Sequence, residues 1–292
     1  MTDTVIQLGS GRKVGVSSFG EPTSRSLVIL CNPTAAAGAF DPDPQVTTRH
    51  GVHVIVLDRP GYGGSDAWSD NESPAVEATA DDIAEYFEVS ELRQRIEAEE
   101  VSVGAIGWGW GGATALSFAS RHPDLAKRIA VVGTVRPSRA RQGQRPPPAA
   151  ELLRPRYISS VSGAACGWNA EDLAKLNPLG ADEDDPDLDQ LGTLGRLRNL
   201  VGDTMHAPPM GVAFDRLAAR DTTWAADLRN IEAPTVLLYG DRDGVAQPAD
   251  GNWYRRHIPQ SRLVTAYGSG RLAIIPAWGS LLQHVAPKTA SQ

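Results

Sequence analysis

Gly107-Trp108-Gly109-Trp110-Gly111-Gly112 sets four glycines in six residues between an apolar run of β type, Val101 to Ile106, and a helical run rich in Ala, Leu and Phe, Ala113 to Ser120. A chain turning this sharply from strand to helix needs positions without a Cβ, because a side chain on either flank would collide with the neighbouring strand or helix. The hexapeptide therefore predicts a strand, a tight corner and a helix laid back against that strand. It is the local unit of an α/β architecture.

The rest of the chain repeats that alternation. Val5 to Leu8 and Lys13 to Phe19 read as two short strands about Gly9-Ser10-Gly11. Ser26 to Cys31 and His53 to Asp58 are runs of Val, Ile and Leu, as expected of parallel strands covered on both faces. Glu77 to Glu99 reads as one long helix, with Ile83, Phe87 and Ile96 on its apolar side. After the glycine corner come a strand, Ile129 to Thr134, and a stretch of different character up to Ile231. That stretch has Pro146-Pro147-Pro148, arginines at Arg136, Arg139, Arg141, Arg145, Arg154 and Arg156, and acids from Asp182 to Asp189. It is expected to be a helical insertion, with the arginines in a solvated loop paired to those acids or gathering an anionic substrate. The α/β pattern then resumes with strands Thr235 to Gly240 and Arg262 to Tyr267 and helices Gly251 to Ile258 and Trp278 to Val285.

With 292 residues and a formal net charge of −7, the chain is long enough for one large α/β domain with an insertion, and too acidic for nucleic acid or an anionic membrane surface. Small molecules are the expected partners, and a homodimer stays open. No apolar run approaches a membrane span, and Met1-Thr2-Asp3-Thr4 lacks the character of a signal peptide, which makes a cytoplasmic location the expectation. Cys31 and Cys166 have neither metal-type nor redox spacing, and no metal or cofactor is expected.

Asp58-Arg59-Pro60-Gly61-Tyr62-Gly63-Gly64-Ser65, the corner Gly107 to Gly112, Leu237-Leu238-Tyr239-Gly240-Asp241-Arg242-Asp243 and Gly268-Ser269-Gly270-Arg271 together resemble the α/β-hydrolase fold family in its capped, lipase-like or epoxide-hydrolase-like form. The resemblance implies a mostly parallel sheet flanked by helices, with a core from residues 1–135 and 232–292 and a cap from 136–231. It also implies a nucleophile elbow at Gly107 to Gly111, an acid at Asp243, a histidine position at Arg271 and an oxyanion loop beginning at Cys31-Asn32. Gly109 falls at the nucleophile's position and has no side chain to form an acyl-enzyme. Arginine stays protonated at any working pH and cannot act as a general base. A serine mechanism through these positions is excluded.

The remaining candidates each have two readings. Asp243 and Arg271 form either a structural ion pair or a functional one, in which the guanidinium polarises an oxygen while Asp243 accepts a proton or holds the guanidinium. The Asn32 amide either binds a substrate carbonyl beside the N–H of Trp110, as a remnant oxyanion hole, or satisfies its own loop. Trp108 is expected to pack, although it belongs with Gly109, Trp110, Cys31, Pro33 and His206 to the set expected to line the substrate pocket. Trp110 either floors the pocket or joins the core. Cys31 is disfavoured as a nucleophile, lacking an activating histidine. His50, His53, His122, His257 and His284 are expected away from the crevice, the last three at the surface; only His206, in Thr204-Met205-His206-Ala207-Pro208, falls where a base is needed.

This reasoning favours a non-hydrolytic enzyme, performing a cyclisation, lyase or isomerase step on a small apolar carbonyl compound in small-molecule or secondary metabolism. The alternatives are a ligand-binding pseudoenzyme, or hydrolysis with a relocated base or a water nucleophile.

Overall fold

A computed structural model describes residues 2–98, 100–137, 179–181, 184–189, 192–205 and 210–287. Among them, eight strands form one sheet: β1 (Thr2–Gln7), β2 (Lys13–Gly20), β3 (Ser26–Cys31), β4 (His53–Leu57), β5 (Ser102–Trp108), β6 (Ala126–Val132), β7 (Thr235–Gly240) and β8 (Ser261–Ala266). Their spatial order is β1-β2-β4-β3-β5-β6-β7-β8. The β1–β2 and β2–β4 pairs are antiparallel and the others parallel.

Alternation along β3 shows why both sheet faces are apolar. Leu27, Ile29 and Cys31 join one core cluster and Val28 and Leu30 the other. The first cluster is closed by helices α2 (Val76–Val89), α4 (Gly111–Arg121) and α7 (Pro248–His257), through Phe87, Leu116, Phe118 and Tyr254. The second is closed by α8 (Ile274–Val285), through Trp278 and Leu282.

The expected helix over Glu77 to Glu99 is two helices, α2 and α3 (Leu92–Glu97), separated by Ser90 in extended backbone (φ −92°, ψ 160°). Glu85 and Glu88 crowd the C-terminal end of α2, whose last turn has no basic residue to offset the helix dipole. Helix α1 (Pro44–His50) was not anticipated. Its signals are local: Asp43 Oδ1 accepts from the amides of Gln45 and Val46, Pro44 begins the helix, and Gly51 closes it at φ 62°. Asp43→Ala is expected to cost about 1 kcal/mol and to lower Tm by a few degrees in a thermal melt. No change in Tm would mean that tertiary packing alone holds α1.

Between β6 and β7 the chain leaves the sheet. The described part of this insertion contains a 3-10 turn (Pro186–Asp189), α5 (Thr193–Met205), α6 (Met210–Ala218) and a 3-10 helix (Thr223–Asn230). Leu197, Leu200 and Val201 of α5 pack into the α8 side of the core, and Trp224, Leu228 and Ile231 into the α4 side. Arg139, Arg141, Arg145, Arg154 and Arg156 lie outside the described residues. No helix among the described residues is long and apolar enough to cross a membrane.

Candidate active site

The glycine corner is built as steric reasoning requires. A Cβ on Gly107 would meet the backbone of Gly111 and Gly112, one on Gly111 the carbonyls of Cys31 and Asn32, and one on Gly112 the side chain of Thr134. The apex, Gly109, sits at φ +57°, the left-handed region. Its N–H donates to Val132 O at 2.8 Å, and its own carbonyl accepts from Thr134 Oγ1 at 2.7 Å. The end of β6 and the residues just after it thus fasten both polar groups of the apex.

Arg271 stands over that apex. Its Nη2 lies 2.6 Å from where a Cβ on residue 109 would be, and Pro33 Cβ lies 3.0 Å from the same point. The side chain is 8% exposed. Nε donates to Leu179 O at 3.1 Å, Nη1 donates to Gly133 O at 2.6 Å and meets Asp243 Oδ2 at 3.3 Å, and Nη2 meets no acceptor among the described residues. Asp243 is 1% exposed, and its Oδ1 accepts from the amides of Val245 and Ala246 at 2.7 and 3.1 Å. Both of its oxygens are therefore engaged, one by the turn after β7 and one by the guanidinium. Asp185 holds the arginine's backbone, accepting the Arg271 N–H at 2.8 Å, so an acidic stretch of the insertion anchors the loop that carries the guanidinium. Its neighbour Asp187 accepts from the Gly270 N–H at 3.0 Å.

A pocket of about 400 Å³ opens over Gly109 and Arg271, with Trp110, Leu179 and Val245 on its walls and the exposed Arg216 among its lining residues. Of the expected pocket residues, Gly109 and Trp110 line it and Pro33 touches the apex position. Trp108 and Cys31, and the catalytic candidate Asn32, do not line it. Trp108 is fully buried, its ring tilted against that of Phe40 with centroids 5.8 Å apart, and its Nε1 donates to Arg271 O at 3.2 Å, so it packs and steadies the arginine's backbone. Cys31 faces the core, and burial pushes its thiol up to about 12, too high for a reactive thiolate. Asn32 is buried, is not among the residues lining the pocket, and its Nδ2 donates to Gly38 O at 2.8 Å, closing the loop. His206 lies outside the described residues.

None of the other histidines lines this pocket. His122 pairs with Asp81 at 2.8 Å and His257 stacks on Trp253. His284, expected at the surface, is half-buried and reaches the carbonyls of Ile129 and Pro234.

One buried network escaped sequence reasoning. Arg59 donates to both carboxylate oxygens of Asp215 on α6, at 3.0 and 2.7 Å, and to the carbonyls of Asn32 and Pro33 at 2.6 and 2.9 Å. Tyr62 Oη donates to Asp215 Oδ2 at 2.8 Å and accepts from Ala35 N–H at 3.2 Å. The network clamps residues 32–35, where Ala35 takes a left-handed φ of 63°. It thereby holds Pro33 beside the elbow. Proline has no N–H, so the loop residue packed against the apex offers no donor, and the guanidinium supplies donors from the other side.

Residues 39–277 match the alpha/beta hydrolase fold family, and the chain belongs to it. The chain is 29% identical over 223 residues to a pimeloyl-[acyl-carrier protein] methyl ester esterase of Chromobacterium violaceum, a match covering 75% of this chain and 76% of that one. It is 26% identical to the enzyme of the same name from Aromatoleum aromaticum, over 73% of this chain and 78% of the other. Among solved structures, it resembles the enol-lactonase from Burkholderia xenovorans (TM-score 0.65, 18% identity, 95% and 96% of the two chains). It also resembles an esterase from Exiguobacterium antarcticum (TM-score 0.67, 20% identity, 96% of each chain). The sequence relatives are esterases, which are hydrolases. That finding overturns the expectation of a cyclase, lyase or isomerase step, and with it the placement in secondary metabolism. Reasoning from absent side chains ruled out one route to hydrolysis and was extended too far, to hydrolysis itself.

Proposed function

We propose that this protein is an ester hydrolase that uses water, and not a side chain, as its nucleophile. The observation that carries this reading is Arg271 Nη2 above Gly109, a charged donor with no described acceptor where a nucleophile's side chain would stand. An ester seated in the pocket directs its carbonyl oxygen toward Nη2 and the Trp110 N–H. These donors stabilise the oxyanion that forms as water adds to the carbonyl carbon. Collapse of that intermediate breaks the C–O bond to the alcohol, which leaves with the proton that water gives up. Asp243 orients the guanidinium, since its oxygens are already engaged. The esterase relatives support a methyl ester of an acyl chain as the first substrate to assay.

Binding and oxyanion stabilisation without a working triad leave a rate enhancement of about 10³ to 10⁴ over water, and turnover of that order is expected here. With no general base among the described residues that line the pocket, the reaction is expected to follow hydroxide, rising about tenfold per pH unit through the neutral to alkaline range. Stopped-flow release of the alcohol checks both points. A pre-steady-state burst matching the enzyme concentration, or an acyl adduct in the protein's mass spectrum, would show a covalent nucleophile and end this reading.

A further inference from the structure

We infer that the same pocket is a receptor for a free carboxylate borne on an apolar chain. Arginine has five N–H donors. In Arg271, Nε and Nη1 are taken by Leu179 O, Gly133 O and Asp243, while the N–H groups of Nη2 face the pocket with no acceptor among the described residues. The Trp110 amide, next to the same apex, also has no acceptor there, and it stands where α4 begins, at the positive end of that helix's dipole. Donors that face the pocket without a protein partner are free to pair with an anion, and a charged donor pairs with one most strongly. Gly109 adds no side chain between these donors and the pocket, and a carboxylate presents two oxygens to two donors.

The walls favour an apolar chain, with Trp110, Leu179, Val135 and Val245 lining the space and Arg216 adding a second positive charge. A volume of about 400 Å³ suits a short acyl chain. An ester has one acceptor oxygen of use here and no charge, so the acid is held more tightly than its ester, and the product of hydrolysis is retained. The inference shares the guanidinium with the hydrolysis proposed above but does not need turnover.

Titration calorimetry on the intact chain tests it, with hexanoate, methyl hexanoate and hexylamine as probes. Hexanoate is expected to bind at least about tenfold more tightly than its methyl ester, as a charge-assisted pair requires, and hexylamine not at all. Arg271→Met should weaken hexanoate by about tenfold or more. Should that variant fail to fold by circular dichroism, Gly109→Ala serves instead, since its Cβ would lie 2.6 Å from Nη2 and push the guanidinium out of its position. Equal affinity for acid and ester, or undiminished hexanoate binding in both variants, overturns the inference. Hexanoate binding without ester turnover leaves it standing and removes the hydrolysis. Turnover without hexanoate binding does the reverse.

Discussion

Gly109→Ser combined with Arg271→His is expected to raise kcat/KM for a simple ester by about 100-fold, with an alcohol burst the native protein lacks; nucleophilic and base catalysis together supply factors of that size. The third partner is already built, because Asp243 sits buried at the end of β7 with its Oδ1 tied to two amides and its Oδ2 beside residue 271. The apex also has the left-handed backbone that an elbow nucleophile uses.

Neither single change should work. A Cβ at position 109 lies 2.6 Å from Arg271 Nη2 and 3.0 Å from Pro33 Cβ, so Gly109→Ser pushes the guanidinium off its carbonyl partners and still has no base. Arg271→His alone gains a base with nothing to activate. The two effects are strongly non-additive, as for residues acting as a unit. The double variant should still fall short of a native esterase, because Pro33 gives no amide to an oxyanion and one such donor is worth about 10² to 10³ in rate. A double variant no faster than the native chain, while folded, would mean that the loop carrying residue 271 cannot bring an imidazole within reach of residue 109.

Asp215→Ala is expected to destabilise the fold by about 3 to 5 kcal/mol, the cost of stranding a buried charge. Arg59 and Asp215 are each less than a tenth exposed, and the carboxylate takes two bonds from the guanidinium and one from Tyr62. Its removal leaves Arg59 with only the carbonyls of Asn32 and Pro33. For a chain of this size the loss corresponds to a fall in Tm of about 10 °C. Replacing both partners by apolar residues, as in Arg59→Met with Asp215→Leu, should recover much of it, since the uncompensated charge is then gone. A loss below about 1 kcal/mol for Asp215→Ala by thermal or urea unfolding would mean that water reaches the pair.

Much of the fold was legible because its signals are local. The Val, Ile and Leu runs of β3 and β7 and the four glycines of the corner each depend on residues within one element. Where local signals conflicted, boundaries moved. The α2 helix stopped at Val89 because acids gathered at its end and Ser90 broke it, and no apolar period announces that. Helix α1, only seven residues long, carried its cap at Asp43 but too few apolar positions to stand out.

At the site, the sequence by itself determined what chemistry is unavailable: a glycine at 109 cannot attack, and an arginine at 271 cannot take a proton. Residue type alone settles both points. What only the tertiary structure decided is where the remaining donors and carboxylates face. Asn32 turned into its own loop and Trp108 into the core, while Arg271 Nη2 came to rest over the elbow. Arg59 found Asp215 across 156 residues of chain. A side chain's partner depends on which loops the sheet order brings together at its edge, and that is a property of the packed chain, which no stretch of neighbouring residues encodes.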